Sequence, residues 1–329
     1  MSSPRFSLAC WDYDRVRPLM DGHVRVDGAD LNFLALTPEE TFFRAFRNAE
    51  FEITELSLST TLMTMSRGEC PYTPIPVFPS RSFRHSGIYV RAGSGIKTPE
   101  DLKGRRVATP EYQVTAAMVA RGILQDEYGV HPSDVEWIQA GLTSTNRIDK
   151  VNFIPPSGVT IEKIRDRTIP ELFERGEIDA LVSPRAPKGF DPSGDGSVQR
   201  LFTDPNAEAD YFKKTGIFPI MHLIGVRNDV LAANPWLPSS LMKAFTKAKD
   251  IALNELAEAT ALKIAMPFLP AQVTALHQTF GPDFWPYGVE ANRATLEASV
   301  RWSFEQGLSA RQMTVEELFA PQSLASFQV

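Results

Sequence analysis

Cysteine is scarce in this chain: among 329 residues only Cys10 and Cys70 occur, and neither stands in a C-x-x-C pair. Two isolated thiols exclude a disulfide framework and fit a reducing compartment. Long apolar runs are missing too. The longest stretch without a formal charge, Ile264 to Pro282, is interrupted by Pro267, Pro270, Gln272, His277 and Gln278, so no spanning helix and no membrane partner are expected. Met1 to Asp14 carries Arg5, Asp12 and Asp14 and no apolar segment of signal-peptide length, so a cytoplasmic protein without a leader is expected. Basic clusters are also lacking. With a net charge of -6 and scattered Lys and Arg, the chain has no nucleic-acid footprint.

Several catalytic signatures are absent. There is no glycine-rich phosphate loop, no G-x-S-x-G elbow and no H-x-x-x-H or H-E-x-x-H spacing, so a nucleotide cofactor, an acyl-transfer elbow and a helical zinc site are not expected. A divalent metal shared by Asp14, His85, Glu111 and His222 is allowed by residue type but is not the favoured reading; the expectation is no cofactor. What is present is an ordinary globular composition, 43% hydrophobic and 22% charged, long enough for two domains or one large one.

Strand and helix patterns alternate along the chain. Phe6–Cys10, Leu31–Leu36, Phe51–Leu56, Arg106–Thr109, Val135–Ile138 and Ile178–Val182 read as strands. Thr37, Pro38 and Glu40 predict a capped helix running to Asn48, and further helices follow at 113–128, 169–175 and from Asp204 to Lys214. That alternation is the doubly wound α/β pattern. Thr143–Gly158 and Pro184–Ser197 read as irregular loops, Ile217–Val226 as a long buried strand, and three helices, at 235–256, 270–280 and 289–306, dominate the carboxyl end.

One stretch combines unusual chemistry with that pattern. Pro79-Ser80-Arg81-Ser82-Phe83-Arg84-His85-Ser86 sets two guanidinium groups and an imidazole between the apolar segments Pro74–Phe78 and Gly87–Val90. Arginine offers a fork matched to a carboxylate, and histidine moves a proton near neutral pH, so capture of a small acid competes here with a merely solvated loop.

The chain resembles the 4,5-dihydroxyphthalate decarboxylase family, within the type II periplasmic-binding-protein-like superfamily. The resemblance is carried by Asp12-Tyr13-Asp14-Arg15, Glu55-Leu56-Ser57-Leu58-Ser59, the 76–86 stretch, Thr109–Gln113 with Thr115-Ala116-Ala117, Ser183-Pro184-Arg185, Thr215–His222 and Asp283–Arg293. It implies an α/β fold of two lobes, each a mixed sheet flanked by helices, with a ligand cleft between them. The lobes would be residues 1–90 plus 215–329, and 91–214, joined by crossover strands near Ile88–Val90 and Ile217–Val226.

The implied reaction is non-oxidative loss of carbon dioxide from 4,5-dihydroxyphthalate to give protocatechuate. The implied partner is a small aromatic acid, and a homo-oligomer is compatible with the reading. Such chemistry needs a general acid, a base near the catechol and a cation for the carboxylates. His85 and His222 are the candidates for proton transfer, with structural histidines as the alternative. Arg81, Arg84 and Arg185 are candidates for the carboxylates, with lobe–lobe ion pairs as the alternative. Glu111 would hold the catechol hydroxyls or merely favour its helix. Ser57, Ser59 and Thr115 would donate hydrogen bonds or only cap helices, and Asp14 and Tyr112 complete the polar candidates. Phe218, Trp285 and Tyr287 would stack on the ring or pack the core. A solute-binding protein for an aromatic or dicarboxylic acid, without catalysis, is the competing class.

Overall fold

In a computed structural model, residues 3–146, 151 and 153–324 are described. β1 (Arg5–Cys10) leads through α1 (Arg17–Met20) to β2 (Asp30–Ala35), α2 (Pro38–Asn48), β3 (Ile53–Ser57), α3 (Leu58–Ser66) and β4 (Tyr72–Arg81). Helix α2 starts as the sequence predicts: Thr37 is extended at the cap, Pro38 opens the first turn, and Ala49 ends the helix in the left-handed region. The expected Thr37 side-chain cap bond is not formed.

The chain then builds a second sheet from β5 (Ile88–Arg91), β6 (Arg106–Thr109), α4 (Thr115–Tyr128), β7 (Glu136–Gly141), β8 (Ile161–Thr168), α5 (Ile169–Glu174), β9 (Ala180–Val182) and β10 (Val198–Arg200). Helix α6 (Ala207–Thr215) carries it back to β11 (Ile220–Arg227), which is followed by α7 (Asn228–Ala233), α8 (Leu237–Leu256), α9 (Leu269–Phe280) and α10 (Arg293–Glu305).

The first sheet has the order β2-β1-β3-β11-β4 and the second β10-β5-β9-β6-β7-β8. Both are mixed: β1 runs parallel to β2 and β3, while β11 runs antiparallel to β3 and β4. In the second sheet β6 is parallel to β7 and β9, and β5 is antiparallel to β9 and β10. This is the two-sheet α/β architecture expected from the sequence.

Several details differ from the sequence reading. Pro79, Ser80 and Arg81 continue strand β4 rather than forming a loop. β5 belongs to the second sheet and β11 to the first, so the chain changes sheet in 82–87 and 201–219 rather than within strands, and the first change falls before residue 90. α6 begins at Ala207 with Asn206 before it, not at an Asp204 cap. Within the predicted loop Thr143–Gly158, residues 147–150 and 152 lie outside the described residues.

Helices α3, α4 and α10 share one buried cluster that reaches both sheets. Their close approach depends on Gly122 of α4, where a Cβ would lie 2.3 Å from the Trp302 ring of α10. Around that contact Arg121 Nε donates to Gln306 (2.8 Å), Gln306 Nε2 donates to the Met118 carbonyl (2.9 Å) and Trp302 Nε1 donates to Asp126 (2.8 Å). Backbone atoms can approach a neighbouring ring this closely only where no side chain intervenes.

Candidate active site

A cavity of about 260 Å³ opens between the two sheets. Its walls follow from topology. Pro38, Glu39 and Phe42 come after β2, Ser57 ends β3, Pro110 and Val114–Ala116 follow β6, Leu142 and Thr143 follow β7, and Ser183–Arg185 follow β9. All five are at the carboxyl ends of parallel-paired strands, where open α/β sheets bind ligands. β11 runs the other way, so it reaches the same place with its amino end, through Met221 and His222. A register irregularity between Ile220 and His222 lets two consecutive side chains line one cavity.

His222 is tied to Glu55. Its Nδ1 lies 2.6 Å from Glu55 Oε1, and Glu55 also accepts from the Tyr13 hydroxyl (2.7 Å) and the Trp11 backbone N–H (3.0 Å). Glu55 is 0% exposed. Burial pushes its carboxyl up, but the hydrogen bond and charge of His222 and the other donors outweigh this, so its pKa lies below the ordinary 4.5. An ionised carboxylate only accepts, so Nδ1–H donates to Glu55, and Nε2 of this cavity-lining residue has no hydrogen bond among the described residues. Phe42 stands edge-on to the imidazole at 4.8 Å between ring centres and steadies it from α2.

The cations are Arg84 and Arg185. Arg84 Nε donates to Met221 Sδ at 3.1 Å, a weak acceptor, and burial pushes its pKa down to about 10, still protonated near neutrality. Arg185 is exposed at the rim, its backbone held by the Ser183 hydroxyl (3.2 Å). Among the described residues neither guanidinium forms an ion pair, whereas Arg15, Arg44, Arg91, Arg227 and Arg301 each do. Gly87 makes this corner: a Cβ there would lie 2.9 Å from the Ser183 carbonyl. Opposite, Ser57 Oγ lies 3.0 Å from Thr115 Oγ1, which also accepts from the Ser59 N–H (3.0 Å). These contacts join the amino ends of α3 and α4, whose dipoles add to a positive field.

Five of the residues expected from the sequence therefore meet: His222, Arg84, Arg185, Ser57 and Thr115. The others are placed elsewhere. His85 is 2% exposed, edge-on to Phe202 and Tyr211 at 5.0 Å each, and burial pushes its pKa down. Arg81, 7% exposed, donates to the Phe218 (2.7 Å) and Pro286 (3.2 Å) carbonyls and lies over the Phe218 ring, joining β4 to the segments around it. Tyr112 is core, stacked on Phe153 with the Arg121 guanidinium 3.6 Å from its centre. Phe218 packs on Phe83, Trp285 donates to the Phe78 carbonyl (2.9 Å) and Tyr287 packs on Phe78. Asp14 is exposed and paired with Arg15; Ser59 and Glu111 are buried and do not line the cavity. The grouping of Asp14, His85, Glu111 and His222 considered for a metal is thus dispersed over separate surroundings.

Sequence reasoning missed Glu55, Tyr13, Glu39, Thr143 and Ser183 as site residues. Glu55 was detectable in principle, since a glutamate inside a strand followed directly by a helix is rarely able to face water in an α/β sheet covered on both sides. The placement of His85 carries an expected result. His85→Phe, matched to its aromatic neighbours, should keep kcat within about threefold of wild type, because surface-remote substitutions of similar shape change stability by about 1 kcal/mol without touching the site. Steady-state kinetics of the variant checks this, and a loss of activity beyond about 100-fold would return His85 to the proton-transfer role.

Residues 82–182 match the NMT1/THI5 like family. The chain is 44% identical over 331 residues to a 4,5-dihydroxyphthalate decarboxylase from Comamonas testosteroni, covering 100% of both chains. It is 42% identical over 215 residues to a protein of the same name from Pseudomonas putida, covering 65% of this chain and 83% of that one. Among solved structures, the periplasmic aliphatic sulphonate binding protein SsuA from Escherichia coli aligns with a TM-score of 0.53 and 15% identity over 98% of this chain and 99% of that one. The alkanesulfonate-binding protein SsuA from Xanthomonas axonopodis pv. citri aligns with a TM-score of 0.51 and 14% identity, over 98% and 99%. At that identity the two binding proteins share the fold with this chain, in agreement with the two-lobed architecture expected from its sequence.

Proposed function

The chain belongs to the 4,5-dihydroxyphthalate decarboxylase family, and from that premise we propose that it removes one carboxylate from 4,5-dihydroxyphthalate to give protocatechuate and carbon dioxide. The observation that carries the reading is the pairing, across one cavity, of two arginines that form no ion pair among the described residues and a carboxylate-held histidine. Arg84 and Arg185 hold the two ortho carboxylates, and the amino ends of α3 and α4 add further positive potential. The two carboxylates are equivalent by the symmetry of the free substrate, so loss of either gives the same product. The cavity chooses between them by which ring carbon faces His222.

His222, protonated at both nitrogens and held by Glu55, gives its Nε2 proton to the ring carbon that bears the departing carboxylate. The carbon–carbon bond then breaks, its electron pair returns to the ring and carbon dioxide leaves. The ring, activated by a hydroxyl para to that carbon, accepts the electron pair itself, which supports a reaction without a cofactor. The reading also takes the protein to work in the cytoplasm, on a small aromatic acid. The parts of the chain built on the first sheet, residues 3–81 with 220–324, and on the second, 88–200, would act as the two lobes that enclose it.

The test is direct incubation of purified protein with 4,5-dihydroxyphthalate, following carbon dioxide release and protocatechuate by chromatography, with and without EDTA. Stoichiometric release of both products is expected in either case. Ligand-induced stabilisation without any product would overturn the enzyme reading and leave a binding protein.

A further inference from the structure

The Glu55–His222 pair carries a third member, the phenol of Tyr13. Tyr13 Oη donates to Glu55 Oε1 at 2.7 Å, and that oxygen is the one His222 Nδ1 meets at 2.6 Å. The phenol oxygen stands 3.4 Å from Nδ1 itself. Two donors thus share one carboxylate oxygen, while the other, Oε2, accepts from the Trp11 N–H (3.0 Å) and the Cys10 thiol (3.5 Å). Tyr13 does not line the cavity, so it meets the imidazole's partner and not the ligand.

The phenol is held in place from the far side. The Arg15 guanidinium lies over its ring, 4.4 Å from the centroid, and over the Trp285 ring at 4.2 Å, while Arg15 Nε donates to the Pro79 carbonyl (2.7 Å). The segments 12–15 and 283–293, which carry part of the family resemblance and line no part of the cavity, therefore meet at Tyr13. A cation over the face of a phenol draws on its electron density and strengthens the O–H as a donor.

The titratable and charged groups facing the pair are Cys10, Tyr13 and Arg15 with its partner Asp14, from the end of β1 and the segment after it, Glu39 on α2 and, across the cavity, Arg84 and Arg185. β3 and β4 place only the neutral Ser57 and Ser80 opposite His222 in register. Burial first, and the Glu55 charge second, push the Tyr13 hydroxyl and the Cys10 thiol above their ordinary values, so both keep their protons near neutrality and remain donors.

Resting on the decarboxylase reading above, we propose that Tyr13 is a positioning residue that sets how readily His222 gives up its proton. By bonding the same oxygen, Tyr13 takes up part of the negative charge that would otherwise hold the imidazolium. The Nε2 proton then passes to the ring carbon more easily than it would from an imidazolium facing a bare carboxylate. Glu55 and Tyr13 act in opposite senses: the carboxylate keeps the imidazole charged, and the phenol weakens that hold. A general acid works best when its proton is held neither too tightly nor too loosely at the working pH.

The experiment compares wild type, Tyr13→Phe, Glu55→Gln and the double variant across about pH 6 to 9, the range in which histidine titrates. One readout is kcat. The other needs no substrate: the rate at which diethyl pyrocarbonate acylates His222 Nε2, read by mass spectrometry of the peptide that carries it. The reagent attacks only neutral imidazole, so its rate follows the neutral fraction. Where that rate climbs with pH, acylation is expected about 3- to 10-fold slower in Tyr13→Phe than in wild type and about 3- to 10-fold faster in Glu55→Gln. The alkaline limb of kcat should move up in pH in Tyr13→Phe and down in Glu55→Gln. At neutral pH, kcat of Tyr13→Phe should fall about 3- to 10-fold with KM within about twofold, since phenylalanine keeps the ring on which Arg15 lies and the cavity is untouched. On the Glu55→Gln background, loss of the phenol hydroxyl should change neither readout by more than about twofold, because its effect runs through the Glu55 charge. Coincident profiles for wild type and Tyr13→Phe, or a Tyr13→Phe loss that persists on the glutamine background, would overturn the assignment. Opposite acylation shifts in a protein without turnover would uphold the action of Tyr13 on the imidazole and overturn the decarboxylase reading instead.

Discussion

His222→Gln is expected to lower kcat by about 10²- to 10⁴-fold while leaving substrate affinity within about threefold of wild type. Glutamine preserves much of the imidazole's bulk and can still meet Glu55, so the binding surface survives, but it has no proton to transfer near neutral pH. Glu55→Gln is the companion measurement. It touches no substrate and acts through the imidazole, so the loss should be smaller, about 10- to 100-fold. It should also displace the alkaline limb of the rate profile, where a general acid is lost, which a purely structural role would leave in place. Stability gives an independent check with a defined sign. The folded-state pKa of Glu55 is depressed below 4.5, so its ionised form stabilises the fold above that value and the contribution is lost as pH falls through the lower folded value. Thermal unfolding of wild type and Glu55→Gln should therefore differ most near neutrality, and the gap should close in acid below the ordinary glutamate range. A gap that is constant with pH would mean that Glu55 is not ionised beside His222.

The fold was legible because its strands are short, apolar and punctuated. β1, β6 and α2 fall within a residue or two of the predicted ranges. β8 was missed for a physical reason. Its sequence, Ile-Glu-Lys-Ile-Arg-Asp-Arg-Thr, belongs to a charged edge strand whose outward residues look like loop. The site was harder. Arg81 and Arg84 are indistinguishable by type, and only the path of β4 decides: Arg81 remains in the strand and turns into the Phe218 contact, while Arg84 lies beyond it at the cavity. His85 and His222 are likewise equal as titratable residues. Burial among aromatic rings depresses one, and a carboxylate orients the other. Glu55 escaped because Phe51–Leu56 alternates with period two, which reads as a strand with one wet face. β3 instead lies between β1 and β11 in a sheet covered on both sides, so the polar positions of that alternation are buried as well.

The arginines should separate into a strong and a weak partner. Arg84→Met is expected to weaken binding of 4,5-dihydroxyphthalate by about 10²- to 10³-fold, the scale for removing one member of a desolvated ion pair. Arg185→Met should weaken it only about 3- to 10-fold, because that guanidinium is exposed and its attraction is screened. Added salt provides the discriminating readout: raising ionic strength should erase most of the Arg185 effect and little of the Arg84 effect. The ligand-free proteins should behave in the opposite order. Arg84 lies partly out of water against Met221 and forms no ion pair among the described residues, with only the more distant charge of Glu208 acting on it, a state whose desolvation is not fully offset until substrate arrives. Replacing it with methionine removes that penalty, so the ligand-free Arg84→Met variant should melt at or above the wild-type temperature while binding almost nothing. A protein that holds a cation in reserve for its ligand trades stability for affinity at that residue. Should Arg84→Met melt well below wild type and still bind at wild-type strength, Arg84 would be a structural strut and the carboxylates would have to be held elsewhere.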